Sequence, residues 1–213
     1  MDSVIFDLDG TLLDSAEQIT VVLNSTSAHF GDKYTTLDDL RANLGKPLDS
    51  ILDSLGLAIN SRDKFVSEFR KRLMTSTKMQ NKIFPGVEEL LTSIKSQGLK
   101  IGIATSKPTP LAIEVVRHSV LQDYVDFCQG TDDSLYKPNP SVILKCMKGL
   151  NSEKALMVGD SAEDLMAAHG AGILSIGVLQ GIHTYEILQN ERPLLIVPTI
   201  SHLSSLWNSL EII

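Results

Sequence analysis

The sequence predicts an α/β protein, a doubly wound parallel sheet with a small all-helical insert after its first strand. Three observations predict it. From Leu99 onward, apolar runs of strand length alternate with helical patterns, the pattern of parallel βαβ units. The first apolar run, Val4-Ile5-Phe6, is β-branched or aromatic throughout, as suits a strand buried on both faces. Between Ser15 and Lys82 only helical periodicity occurs. The expected division is therefore a sheet domain of residues 1–14 and 83–213 and a helical domain of residues 15–82. A chain of 213 residues has room for one large domain with such an insert.

Taken in order, the opening strand ends in Asp7-Leu8-Asp9-Gly10-Thr11. From Ser15 the period changes: Ala16, Ile19, Val22, Leu23, Thr26 and Phe30 recur at three- and four-residue steps. Gly31-Asp32 stops that helix. Leu37, Leu40 and Leu44 mark a second helical segment, and Leu48, Ile51, Leu52 and Leu55 a third, with Gly45-Lys46-Pro47 between them. Phe65, Val66, Phe69 and Leu73 mark a fourth. Phe84-Pro85-Gly86 closes the insert, and Val87, Leu90, Leu91 and Ile94 give an amphipathic helix that ends at Gly98. Strands are expected at Leu99–Ala104, Tyr124–Cys128, Ala155–Val158 and Ile173–Val178, with an edge strand at Leu194–Val197. Helices are expected between them at Leu111–His118, Pro140–Met147 and Ala162–His169. Ile200, Leu203, Leu206, Trp207 and Leu210 form the face of a last helix that packs on the core.

Composition narrows the function. A net charge of −7 argues against a broad nucleic-acid surface. Cys128 and Cys146 are the only cysteines, too few for a disulfide framework, so a reducing compartment is expected. No apolar run approaches the roughly 18 residues that span a bilayer, and Asp2 and Asp7 stand where a leader would be basic or apolar. The expectation is a cytoplasmic protein, monomer or homodimer, with no membrane partner. None of the five histidines shows metal-ligand spacing.

The polar residues at strand ends carry the chemistry. In open α/β sheets, reactions occur beyond the carboxyl ends of the strands. Asp7 ends the first strand and Asp9 lies just past it. Two carboxylates so close repel, so one tends to keep its proton unless a cation intervenes; an Asp-Gly step is equally a plain turn. Thr105-Ser106-Lys107-Pro108 follows the second strand, where hydroxyls and N–H groups before a helix form an oxyanion cradle or merely a cap. Lys137 precedes Pro138, which keeps it out of helix; it is either a fixed neutralising charge or a solvated lysine. Asp160 ends the strand at Ala155–Val158, and Asp164 lies four residues on, on the same side of a helix. With Asp7 and Asp9 these suit Mg²⁺, or else they cap the helix.

The ordered set resembles the haloacid dehalogenase superfamily of phosphatases and phosphotransferases. The likeness rests on Asp7-Leu8-Asp9-Gly10-Thr11, Ile103-Ala104-Thr105-Ser106, Lys137-Pro138-Asn139-Pro140 and Gly159-Asp160-Ser161-Ala162-Glu163-Asp164. Asp9-Gly10-Thr11-Leu12-Leu13-Asp14-Ser15, Gly45-Lys46-Pro47-Leu48 and Phe84-Pro85-Gly86-Val87 make it most similar to the phosphoglycolate phosphatase group, whose helical cap matches the insert. The resemblance implies that Asp7 is the nucleophile, forming an aspartyl-phosphate, and that Asp9 is the general acid–base. It implies Mg²⁺ held by Asp7, the Asp9 carbonyl and Asp160, and phosphoryl oxygens held by Thr105, Ser106 and Lys137. Asp164 has a supporting role. Relatives often carry Asn where Ser106 stands; a serine still donates there. Arg41 and Lys46 flank the cap loop, as grips for a substrate anion or as solvated charge. The implied reaction is Mg²⁺-dependent hydrolysis of a small phosphorylated metabolite. A sugar phosphomutase and an inorganic pyrophosphatase are the rivals on the same core. Because Asp7, Asp9, Lys137 and Asp160 are all present, a non-catalytic binding protein is disfavoured.

Overall fold

The computed structural model describes residues 1–46, 48–57, 61–76, 82–132, 135–181 and 183–210. Pro47, singled out above, lies outside them. Six strands, β1 (Ser3–Phe6), β2 (Lys100–Ala104), β3 (Phe127–Gln129), β4 (Ala155–Gly159), β5 (Leu174–Val178) and β6 (Leu195–Val197), form one sheet in the order β3-β2-β1-β4-β5-β6. Every pairing is parallel. The chain runs outward from β1 to β3, then returns to the other side of β1 at β4. Such a reversal opens a crevice at the carboxyl ends of the two central strands, here β1 and β4.

The sheet divides the core in two. Val4 and Phe6 face one side with Ile101, Ile103, Leu156 and Val158. Ile5 faces the other with Ala104 and Met157, as the two-residue period of a strand requires. The second face is covered by α7 (Ser141–Leu150) and α8 (Ala162–Gly170) through Val142, Ile143, Cys146 and Ala167. The first is covered by α5 (Val87–Ser96) and α10 (Ile200–Leu206), which pack on each other. All four residues of β1 are fully buried. Burial of one such apolar side chain is worth about 1.5–3 kcal/mol, so the strand that carries the opening acids is also among the most firmly held.

Helices α1 (Ala16–Phe30), α2 (Leu37–Arg41), α3 (Leu48–Ser54) and α4 (Arg62–Ser76) make up the insert. Gly31, with φ +71°, closes α1, its N–H bonding Ala28 O and Ser27 O. Thr36 and Asp39 form a capping box at the start of α2. α1 packs against α4, and α4 also meets α6 (Thr109–Arg117) of the sheet domain. The chain enters and leaves the insert side by side: Asp14 N–H donates to Lys82 O (2.8 Å) and Phe84 N–H to Leu12 O (3.0 Å). Among the described residues of the insert there is no strand.

Three details differ from the sequence expectation. Tyr124 and Val125 do not start β3; their N–H groups bond Leu121 O and finish a 3₁₀ turn at Val120–Asp123. The ladder begins only where Asp126 N–H reaches Ile101 O. The short helix α9 (Tyr185–Asn190) lacked a usable signal because only Leu188 of it is buried. The last helix changes at Trp207 into a 3₁₀ turn over Trp207–Ser209.

Candidate active site

Strand register brings the site residues together. Phe6 pairs with Ile103 of β2 and with Val158 of β4. Asp7, Thr105 and Asp160 therefore emerge at one edge within a residue of each other, although they are far apart in the chain. Gly10 then turns with φ +88°, and a Cβ there would stand 2.6 Å from Asp160 Oδ2. A larger residue at this turn would displace the Asp160 carboxylate.

The edge is acidic and buried. Asp7, Asp160 and Asp164 each place a carboxylate oxygen within 4.8 Å of the others, and all three are buried. Lys137 Nζ bonds Asp7 Oδ1 (2.7 Å), Asp164 Oδ1 and the Ala104 carbonyl (3.1 Å), which uses its three donors. The second oxygen of Asp164 accepts from Ser161 Oγ (2.7 Å) and N–H (3.1 Å) in a capping box. Thr11 Oγ1 donates to Asp160 Oδ1 at 2.7 Å.

Three carboxylates against one ammonium leave an excess of negative charge. Burial raises the Asp7 pKa to about 7; Lys137 pulls it back, while Asp164 and Asp9 push it up. Burial likewise holds Asp160 well above the usual carboxylate range, with Asp164 and Asp7 adding to it. Burial alone would lower the Lys137 ammonium, but Asp164 and Asp7 outweigh it and keep it firmly charged. Oxygen donors and surplus buried negative charge fit a hard divalent cation.

Asp9 is arranged differently. Ser15 Oγ donates to its Oδ1 (2.6 Å), and Lys107 Nζ pairs with its Oδ2 (2.8 Å). Its carboxylate is thus held apart from the Asp7–Asp160–Asp164 group. Thr105 is buried at the end of β2, its N–H bonding Gln129 O. Ser106 Oγ is buried with no hydrogen-bond partner among the described residues.

Asp7, Asp9, Thr105 and Ser106 line one cleft with residues of the insert, including Leu40, Leu44, Ile51 and Phe69. The cavity volume there is about 90 Å³. Lys46 also lines it, its ammonium bonded to Asn43 Oδ1 (3.0 Å). Arg41 does not; it borders a separate hollow with Ser15, Phe84 and Gln180. The sequence reading left Thr11, Ser15 and Lys107 without roles. All three stand within the motifs quoted above, Ser15 as the residue just before α1. His183, also unassigned, accepts from Ala162 N–H at the start of α8 (2.8 Å).

Carboxylates at the ends of adjacent strands and a lysine buried between them thus stand at the end of a cleft that the sheet and the insert line together. The chain belongs to the haloacid dehalogenase-like hydrolase family, whose model matches residues 4–178, and it is a phosphatase of that family. It is 35% identical to "Probable phosphatase IndB" of Dickeya dadantii, over 93% of this chain and 90% of that protein. It is 31% identical to the phosphoglycolate phosphatase of Aquifex aeolicus, over 85% and 86%. Among solved structures, a predicted phosphatase from Clostridium acetobutylicum superposes with a TM-score of 0.85 at 32% identity, covering 98% of this chain and 99% of that one. No helix among the described residues is long and apolar enough to cross a membrane.

Proposed function

We propose that the protein hydrolyses a small phosphomonoester of the phosphoglycolate type with Mg²⁺, through an aspartyl-phosphate on Asp7. The observation that carries this reading is the buried Asp7–Lys137–Asp164 arrangement beside Asp160, open to the cleft on the Asp7 side. Asp7 and Asp160 would hold the ion with the main-chain carbonyl of Asp9. The two oxygens of Asp164 are already taken by Lys137 and Ser161, so Asp164 positions Lys137. The ion supplies charge that offsets repulsion between the Asp7 carboxylate and a phosphoryl dianion.

An Asp7 oxygen attacks phosphorus, and the bond from phosphorus to the ester oxygen breaks. Asp9 gives a proton to the departing oxygen. In the second half Asp9 takes a proton from water, the water oxygen attacks phosphorus, and Asp7 is released with free phosphate. Acid–base help of this kind is worth about 10²–10⁴-fold. Ser106 lines the cleft, and its hydroxyl, without a hydrogen-bond partner among the described residues, would bond the phosphoryl group with Thr105 beside it. The insert acts as the cap that closes the cleft over the substrate, with Lys46 at its border.

The test is a phosphate-release screen over phosphoglycolate, pyrophosphate and β-glucose 1-phosphate, with Mg²⁺ and then with chelator. Release from phosphoglycolate that stops on chelation is expected. Conversion of the sugar to its 6-phosphate without free phosphate would replace this reading with the phosphomutase one.

A further inference from the structure

We propose that Gln180, in the loop after β5, is a positioning residue for Asp160. Its side-chain amide clamps the turn after β1 to the start of α10, and so fixes the seat of a carboxylate that would hold the ion. The inference rests on the phosphatase reading, in which Asp160 binds the divalent ion, and goes beyond it to what keeps Asp160 in place.

Strand register brings the loop to the site. Gly177 of β5 pairs with Gly159 of β4, so the chain leaving β5 passes beside Asp160. Leu179 N–H still bonds Val197 O (3.0 Å), and Gln180 and Gly181 follow. A Cβ on Gly181 would overlap the Cβ, Cγ and Oδ2 of Asp160. Gly10 approaches the same carboxylate from the turn after β1, and Thr11 Oγ1 donates to its Oδ1 (2.7 Å). Two main-chain segments thus flank one buried carboxylate. Gln180 ties them together: its Nε2 donates to the Thr11 carbonyl and its Oε1 accepts from Ile200 N–H, both at 2.8 Å. A carbonyl on one side and an N–H on the other set the orientation of the amide.

The far end of this clamp is firm. Ile200 opens α10, where main-chain N–H groups have no partner within the helix, so an outside acceptor is welcome there. Ile200 is fully buried, and α10 packs on α5. A Cβ on Gly86 would stand 2.5 Å from Ser201 Cα, so the chain leaving the insert lies directly against the first turn of α10. Gln180, Gly181 and α10 all lie beyond residue 178, where the family match ends. The plain alternative is that Gln180 only caps α10; the two roles differ in what they do to the ion.

The experiment measures the Kd of Mg²⁺ from the rise in melting temperature with Mg²⁺ concentration at pH 8. Each protein is compared with its own metal-free melting temperature. Groups that orient a metal ligand are typically worth about 10–100-fold in metal affinity. Gln180→Met keeps the length of the side chain and loses both hydrogen bonds, so it should raise the Kd by about 10-fold. Gly181→Ala, which pushes on Asp160 itself, should raise it by about 100-fold. Thr199→Val removes the hydroxyl that caps α10 through His202 N–H and loosens that helix without touching Thr11. It should lower the metal-free melting temperature and leave the Kd within about twofold. A merely structural role for Gln180 would lower the melting temperature and leave the Kd unchanged, which overturns the proposal. So would a Thr199→Val protein that weakens Mg²⁺ as much as Gln180→Met does, or a Gly181→Ala protein that binds Mg²⁺ normally. If Gln180→Met does not fold, Gln180→Asn, too short to reach both partners, carries the same comparison. A wild type whose melting temperature ignores Mg²⁺ would overturn the metal reading as well, whereas equal shifts in wild type and variant overturn the role of Gln180 alone.

Discussion

The carboxyl edge of β1 and the inner wall of the helical insert face the same cleft, yet they are built from opposite materials. At the edge, Asp7, Asp160 and Asp164 are buried around a single ammonium, and burial raises the pKa of both Asp7 and Asp160. Across the cleft, Leu40, Ile51 and Phe69 are buried carbon packed into the main core cluster. The edge holds charge where charge is costly, and the sheet beneath must hold it in place. The wall makes no such demand; its contribution is shape and the exclusion of water. Substitutions at the edge should therefore change chemistry steeply, and substitutions on the wall should change selection gently.

The largest effect belongs to Asp7. Asp7→Asn keeps the volume and removes the attacking oxygen anion, so turnover should fall by about 10⁴-fold or more. The fold should survive, since the change leaves Lys137 paired with Asp164 and relieves one of three crowded carboxylates. Phosphate release and thermal unfolding measured side by side check both halves. An active Asp7→Asn protein would transfer the nucleophile to another residue and erase the contrast between edge and wall.

Much of the edge was legible in the chain because each residue there stands at a strand end, and parallel strands in register bring their ends together. Asp7, Thr105 and Asp160 needed only the expectation of a doubly wound sheet. Lys137 was readable through Pro138, which excludes helix at that point. What could not be read is how the side chains pair beyond the strand ends. Gly10 turns Asp9 toward Ser15 and Lys107, and Thr11 toward Asp160, and nothing in residue type announces which donor meets which acid. Arg41 and Lys46 stand alike in the sequence, yet the turn after α2 sends them to different hollows. β3 was misplaced because Tyr124 and Val125 are apolar for packing and not for pairing.

An effect of middle size couples the edge to pH and metal. The Asp7 pKa, about 7 in the metal-free fold, lies above the value near 3.9 expected for an unfolded chain. Between about pH 4 and pH 7 the native state thus binds more protons than the unfolded one, so stability falls as pH rises through that window. A divalent ion needs the same carboxylates ionised, so its binding strengthens over the range where the metal-free protein weakens. The melting temperature without metal should be lower at pH 8 than at pH 5, and the rise on adding Mg²⁺ should be larger at pH 8. Asp7→Asn should flatten both trends. Equal Mg²⁺ stabilisation at the two pH values would detach the ion from these carboxylates.

The smallest effect tests the wall. Lys46 Nζ is bonded to the neutral Asn43 and the residue is only half-buried, so water screens whatever it attracts. If it touches the substrate in ground and transition states alike, its loss removes uniform binding, which raises KM and spares kcat. Lys46→Met should therefore raise KM for phosphoglycolate by about 3- to 10-fold, the range of a partly exposed charge pair near 1 kcal/mol, with kcat held within about twofold. Added salt should narrow the gap between wild type and variant, because screening weakens the exposed contact before it reaches the buried ones. A fall in kcat as steep as that of Asp7→Asn would place Lys46 with the edge, and the chemistry would then extend across the cleft into the helices.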